Sequence, residues 1–248
     1  MSTLYYIPYS PWSLKALRVM RHHGMTPTKR NYVPFMTERE LRKAMGGHKG
    51  KVTVPVWIDG DRVFDDSHAI SIEADAQGKG EKLFLEGHEA EMQQASDLAG
   101  RICGAARGRS LIRVLDDTAA VKEALPKMVT RLPLVSGTIG KTVLKKFNAK
   151  YGITADRYGA FLDEVRDGLT ELRTLVDAAE QAGRTTLYAT FSYADVALGL
   201  AMNLVQPLPE TPMGEASMRC ATDDEVRDEF ADLVAWRDRL DAEVGLLP

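Results

Sequence analysis

A change of hydrophobic period near residue 78 divides this sequence into two unlike parts. Before it, short apolar runs of strand character alternate with segments of helical spacing. Residues 4–7 form one such run, and Ser10 with Pro11 then opens a helical pattern of Leu14, Leu17, Val19 and Met20 that stops near Gly24 and Pro27. Residues 29–35 alternate as a second strand, and Thr37 with Glu40 has the spacing of a capping box opening a short helix to Met45. Residues 52–58 and 62–64 are apolar strands joined by Asp59-Gly60-Asp61, a tight hairpin turn, and a helix over 67–77 follows. The order βαβαββα predicts a small mixed sheet covered by helices.

Gly78-Lys79-Gly80-Glu81-Lys82 reads as a linker, and beyond it every periodic segment is helical. Residues 89–106, 156–182, 193–205 and 224–243 carry apolar positions at a spacing of about 3.6. Pro126, Pro133, Gly137 and Gly140 cut the stretch 109–151 into short helices and loops. The expected organisation is therefore a domain over 1–78, a linker over 79–87 and an all-helical domain over 88–248.

Composition narrows the functions open to such a chain. A formal charge of −3 from 32 basic and 35 acidic residues, mixed along the sequence, provides no basic stripe for a phosphate backbone, so no nucleic acid partner is expected. Cys103 and Cys220 stand far apart with no CxxC and no metal-ligand spacing, which predicts neither a disulfide framework nor a zinc site and fits a reducing cytoplasm. The five histidines share no common helical face that would hold a metal and are expected to be mostly exposed. The least charged stretch, 185–209, contains Asp195 and ends in Pro207 and Pro209, so it reads as a buried core helix and no membrane segment is expected.

Three short motifs remain, each with a purely structural explanation beside a chemical one. Tyr9-Ser10-Pro11-Trp12-Ser13 lies where a strand passes into a helix. Ser10 can cap that helix by accepting from the Ser13 amide, with Pro11 at the first position, or its hydroxyl can sit in the positive potential of the helix end and stabilise an anion. Val54-Pro55 puts a proline in a strand pattern. A trans proline at a strand edge is one account, and a cis peptide that turns the Val54 backbone toward an extended peptide ligand is the other. Asp65-Asp66-Ser67-His68 begins a helix, with Ser67 as cap or the aspartates complementing the dipole. The same group can clamp an α-amino acid, first-turn amides and the Ser67 hydroxyl taking the carboxylate while an aspartate takes the ammonium.

In this order and spacing, the motifs resemble those of the glutathione S-transferase superfamily. The resemblance implies an α+β thioredoxin-like N-terminal domain of βαβαββα order followed by an all-α domain. Ser10-Pro11-Trp12-Ser13 is similar to the active-site segment of the serine-type tau and zeta classes, which makes Ser10 the implied catalytic hydroxyl and places Trp12 against glutathione. Tyr6 occupies the place of the catalytic tyrosine of other classes and ranks second, with Ser13 third. Val54 and Pro55 resemble the cis-proline element that bonds the cysteinyl backbone of glutathione, and Asp66-Ser67 followed by Ala69-Ile70 resembles the element that binds its γ-glutamyl end. Lys51 is the basic residue implied for the glycyl carboxylate, although Thr53 adds one residue to the usual spacing. Ser192 and Asp195 resemble a buried helix-capping box and Phe230 to Leu240 the closing helix, both structural. Cys103, on the first helix of the second domain, reads as a small core residue.

The resemblance further implies a cytoplasmic homodimer with glutathione as co-substrate, no metal, and a small hydrophobic electrophile as second substrate. Thiolate is the nucleophile in such chemistry, and a hydrogen bond donated by Ser10 to sulfur would lower the thiol pKa. Isomerisation, dehalogenation, ether cleavage and peroxide reduction would use the same thiolate, and a non-catalytic ligand-binding protein is the other alternative. A thiol–disulfide oxidoreductase would need a cysteine at this corner, where the chain has Ser10 and Ser13.

Overall fold

A computed structural model describes residues 2–34, 36–125, 140–149 and 151–248 of the chain. The first part has the expected βαβαββα order: β1 (Ser2–Tyr6), α1 (Pro11–His22), β2 (Thr28–Asn31), α2 (Glu38–Ala44), β3 (Val56–Asp59), β4 (Arg62–Phe64) and α3 (Ser67–Gln77). The strands form one sheet in the order β2-β1-β3-β4, with β1 parallel to β2 and antiparallel to β3, and β4 antiparallel to β3. Alternation along β1 sends Leu4 and Tyr6 toward α1 and α3, while Tyr5 faces the smaller cluster of Leu41, Val52 and Val56 under α2.

Several boundaries differ from the sequence reading. The second strand ends at Asn31 rather than running to 35, because Val33 turns to bond the Thr37 hydroxyl with both its N–H and C=O. That use of Thr37 also replaces the expected capping box with Glu40, and α2 starts without a side-chain cap. The third strand starts at Val56, so Pro55 precedes the strand and removes no ladder hydrogen bond. Glycine is required where the sequence placed turns: Gly24 ends α1 at φ 67° and Gly60 closes the β3–β4 hairpin at φ 62°.

The helical part comprises α4 (Glu89–Asp116), α5 (Thr118–Ala124), α6 (Gly140–Ala149), α7 (Tyr158–Gln181), α8 (Tyr193–Ala201), α9 (Glu215–Ala221), α10 (Asp224–Glu229) and α11 (Ala231–Val244). Helix α4 runs ten residues past the expected end at 106, since Arg109 and Arg113 are held on one face by Asp223 and Val114 packs on α5 and α9. Two further corrections concern the 224–243 segment, which breaks at Phe230, and α9, which is too short for its periodicity to stand out. Of the prolines and glycines that cut 109–151, Pro126, Pro133 and Gly137 fall outside the described residues. The pair α4 and α7 approaches closely because Gly168 faces Ile102 and Gly108 faces Phe161, where an added Cβ would lie 2.7 Å from the opposing side chain.

One apolar cluster crosses both parts: Leu4, Leu17, Trp57 and Ile70 join Ile102, Leu169, Leu198 and Trp236. The connection between the parts is pinned rather than loose. Leu83 is fully buried, its N–H donates to Asp75 Oδ1 at 2.7 Å, and its carbonyl accepts from the Tyr193 amide at 2.8 Å. His23 Nε2 meets the same Asp75 oxygen at 2.9 Å, so the expectation of exposed histidines is corrected. His23 is buried, His22, His48 and His68 are half-buried, and His88 is exposed. At the far end of the bundle Asp223 binds Arg109 at 2.5 and 3.1 Å and Arg113 at 2.7 Å.

Burial alone would raise the Asp223 carboxyl, but the two guanidiniums outweigh it and hold the group below the usual range. Because the folded value lies below the unfolded one, the stabilisation is complete above about pH 4 and is lost as pH falls through the folded value. The stability gap between the wild type and Asp223→Asn is thus expected to shrink as pH drops from about 4 toward 2, read by urea denaturation at fixed pH. A gap constant over that interval would remove the ion pair from the acid stability.

Candidate active site

Sheet polarity gathers the three sequence motifs at one end of the first domain. The carboxyl end of β1, the amino end of β3 and the carboxyl end of β4 lie side by side, with Tyr5 opposite Val56 and Trp57 opposite Phe64. Ser10, Val54-Pro55 and Asp66-Ser67 follow or precede these strand ends within a few residues and therefore share that edge.

Ser10 is the N-terminal flanking residue of α1, extended at φ −75° and ψ 124°, but its side chain makes no capping bond. The expected acceptance from the Ser13 amide is absent, and the Ser13 hydroxyl, fully buried, accepts from the Ile7 amide at 3.1 Å. Ser13 thereby ties the strand-to-helix turn together and stands beneath the edge. Pro11 needs no partner, so the amides of Trp12 and Ser13 leave the positive end of α1 uncapped around the Ser10 hydroxyl. Tyr6 is half-buried at the end of β1, packed on the main core.

Val54-Pro55 is a cis peptide, as the second of the two sequence accounts has it. Asp66, rather than Ser67, caps α3: its Oδ1 accepts from His68 N at 2.8 Å and Ala69 N at 3.0 Å. This narrows the expected amino-acid clamp, since two of the first-turn amides are already taken. What remains for a ligand is the Ser67 amide and hydroxyl, with the second Asp66 oxygen beside them. Ser67 is buried, and its carbonyl is held by the Ser71 hydroxyl at 2.8 Å.

The helical part covers this edge with residues the motifs did not include. Arg107 of α4 lies with its Cζ 4.9 Å from the centre of the Trp12 ring and 5.3 Å from that of Tyr151, and Lys51 Nζ lies 4.1 Å from the Tyr151 ring. Lys51 therefore stands against the second domain. Arg107 follows Cys103 by four residues, which places both on one face of α4, but among the other charged residues of that helix nothing in the sequence singles it out. Lys15, one turn into α1, is 2 % exposed and acts electrostatically on Cys103 and His68. Burial pushes the Cys103 thiol up to about 11 despite Lys15 and Arg107, so it stays protonated. Tyr32 nearby is raised to about 12, by burial first and then by Glu38.

Ser192 and Asp195 lie in the second domain and take no part in this edge. Ser192 N and Oγ donate to Asp195 Oδ2 at 2.8 and 2.7 Å, and Leu187 N donates to Oδ1 at 2.7 Å, all three bonds buried. Among the described residues no group of three or more histidine, cysteine or acidic side chains could hold a metal, and no helix is long and apolar enough to cross a membrane. Two surface concavities, one where His22 and His23 face Gly78 and Gly80 and one between Glu91 and Tyr188, lie away from the Ser10 edge.

No protein-family model and no curated protein matches the sequence. Solved structures match over nearly the whole chain. A glutathione S-transferase from Methylobacillus flagellatus with glutathione bound is 15 % identical, at a TM-score of 0.62 over 99 % of this chain and 97 % of that one. A glutathione transferase family member from Pseudomonas fluorescens Pf-5 with S-(propanoic acid)-glutathione is 16 % identical, at 0.56 over 99 % and 97 %. The tau-class enzyme of mango, Mangifera indica, is 14 % identical, at 0.57 over 100 % and 92 %. The chain has the glutathione S-transferase fold, a thioredoxin-like domain followed by a helical one.

Proposed function

We propose that this chain, on the glutathione S-transferase fold, is a glutathione transferase that activates the glutathione thiolate at Ser10 for attack on a small electrophile. Convergence of Ser10, Val54-Pro55 and Asp66-Ser67 on one sheet edge carries the reading, because a tripeptide laid along it would meet all three. In this reading residues 1–78 hold glutathione and 88–248 shape the second-substrate side, in a cytoplasmic homodimer. Both cysteines are free and buried, which agrees with a reducing compartment.

The Ser67 amide and hydroxyl take the γ-glutamyl carboxylate and the free oxygen of Asp66 takes the ammonium. The Val54 backbone, before the start of β3, pairs with the cysteinyl residue in the manner of an added strand. The cysteinyl sulfur then lies over the amino end of α1, where the Ser10 O–H donates to it. Since that hydroxyl caps nothing in the protein, it is free to do so. Sulfur loses its proton to solvent, attacks the electrophilic carbon, and forms the C–S bond as the leaving group departs with its electron pair. Ser10 favours the charged sulfur over the neutral one, so its effect falls on the pKa and the rate rather than on affinity.

Calorimetry with glutathione tests the reading. Ser67→Ala is expected to weaken binding about 10- to 100-fold, the loss of one hydrogen bond to a charged group. Equal affinity in both proteins would take Ser67 out of the site, and no binding to the wild type would overturn the function.

A further inference from the structure

Two cations near the start of α1, Arg107 and Lys15, have no acidic partner among the described residues. Arg107 makes no hydrogen bond and no ion pair with any described residue, and its Nε is buried without a partner. Its neighbours are the faces of two rings, Trp12 and Tyr151. Lys15, one turn into α1, is buried and likewise makes no hydrogen bond or ion pair with a described residue. The nearest acid on α2, Glu38, is already taken by Arg42 at 2.7 and 3.1 Å. Nor can the rest of the chain supply one, since residues 126–139, Phe35 and Lys150 include no aspartate or glutamate. Burial holds the guanidinium of Arg107 below its ordinary pKa, and no carboxylate is among the groups that act to raise it.

Arg107 is half-buried, and a partly desolvated cation without a counter-charge is costly unless something completes it. Aromatic rings as neighbours attract a guanidinium but accept none of its N–H donors in ion pairs, and those donors match a carboxylate in two parallel hydrogen bonds. Trp12 is two residues from Ser10, so the guanidinium that faces its ring stands near the amino end of α1, where the reading places the reacting sulfur. We infer that the second substrate is an electrophile bearing an anionic group, a carboxylate or sulfonate, held by Arg107 between Trp12 and Tyr151. The inference rests on the glutathione transferase reading and narrows its substrate from hydrophobic compounds to acidic ones.

The test uses two aromatic probes that both lose chloride to glutathione, 4-chloro-3-nitrobenzoate and 4-chloro-3-nitrobenzamide. Each is compared with itself across variants, so the intrinsic difference in reactivity between them cancels. In Arg107→Gln, kcat/KM for the acid should fall about 30-fold and for the amide less than about threefold, while the Kd for glutathione holds; Arg107→Lys should restore part of the loss. A second readout needs no variant and no turnover. The wild type should bind the acid conjugate of glutathione about tenfold more tightly than the amide conjugate. Equal losses for both probes, or equal binding of the two conjugates, would overturn the inference and leave the transferase reading standing. Weaker glutathione binding in Arg107→Gln without discrimination between probes would assign Arg107 to the tripeptide's own carboxylate and overturn it as well. Absence of glutathione binding to the wild type would remove both.

Discussion

Ser10→Ala is expected to lower kcat for glutathione conjugation about 100-fold while the Kd for glutathione changes less than about twofold. The size follows from removing one preorganised donor aimed at developing negative charge, and the split follows from where the hydroxyl acts. It meets sulfur, and it meets the thiolate more strongly than the thiol, so binding of the protonated tripeptide hardly registers its loss. The pH–rate profile should move to higher pH in the variant, because the bound thiol then ionises later. A capping serine would behave otherwise, costing about 1 kcal/mol of stability with the profile in place. Here the side chain caps no amide, so thermal unfolding of Ser10→Ala should stay close to the wild type. A proportional loss of affinity, or a destabilised protein with an unmoved profile, would count against the thiolate role.

Asp195→Ala should cost about 3 kcal/mol of stability, or about 9 °C in Tm. The carboxylate takes three donors in a fully buried place, the Ser192 amide and hydroxyl and the Leu187 amide, and alanine would leave two backbone N–H groups there without partners. Burial raises the Asp195 carboxyl above its usual range in spite of these bonds, a sign of how completely the group is withdrawn from water. The helix it starts, α8, packs its apolar face into the cluster shared by both domains, so the damage should spread to the glutathione side as well. Thermal denaturation of the two proteins checks this, and a loss below about 1 kcal/mol would reduce the capping box to an ordinary surface cap.

The sequence displayed its first domain well because strand and helix periods alternate there and each turn carries its own chemistry. Ser67–Gln77 and Arg62–Phe64 have the expected bounds, and Asp59-Gly60-Asp61 turns as its composition requires. Caps were less legible. Thr37, Ser10 and Ser67 all have side chains able to cap and none of them does, because local bonds compete in ways a cap pattern does not show: Val33 engages Thr37, Ser13 bonds Ile7, and Asp66 reaches over Ser67 to the amides beyond. Helix α4 was read short since its last turns bury polar residues, Arg109 and Ser110 among them, and are held by the ion pairs of Arg109 and Arg113, which carry no apolar period. The site showed the same limit. Residues adjacent in sequence to a strand end could be found from motifs, whereas Arg107 and Tyr151 reach the edge only through packing of the second domain on the first.

Absorbance of the thiolate of bound glutathione as a function of pH, in the wild type, Ser10→Ala and Tyr6→Phe, bears most directly on the claim that this edge binds glutathione and that Ser10 ionises it. The account predicts that the bound thiol of the wild type titrates below that of free glutathione, that Tyr6→Phe titrates alike, and that Ser10→Ala returns the thiol toward its free value with glutathione still bound. A thiol that titrates as in free solution in the wild type, or a return confined to Tyr6→Phe, would contradict it.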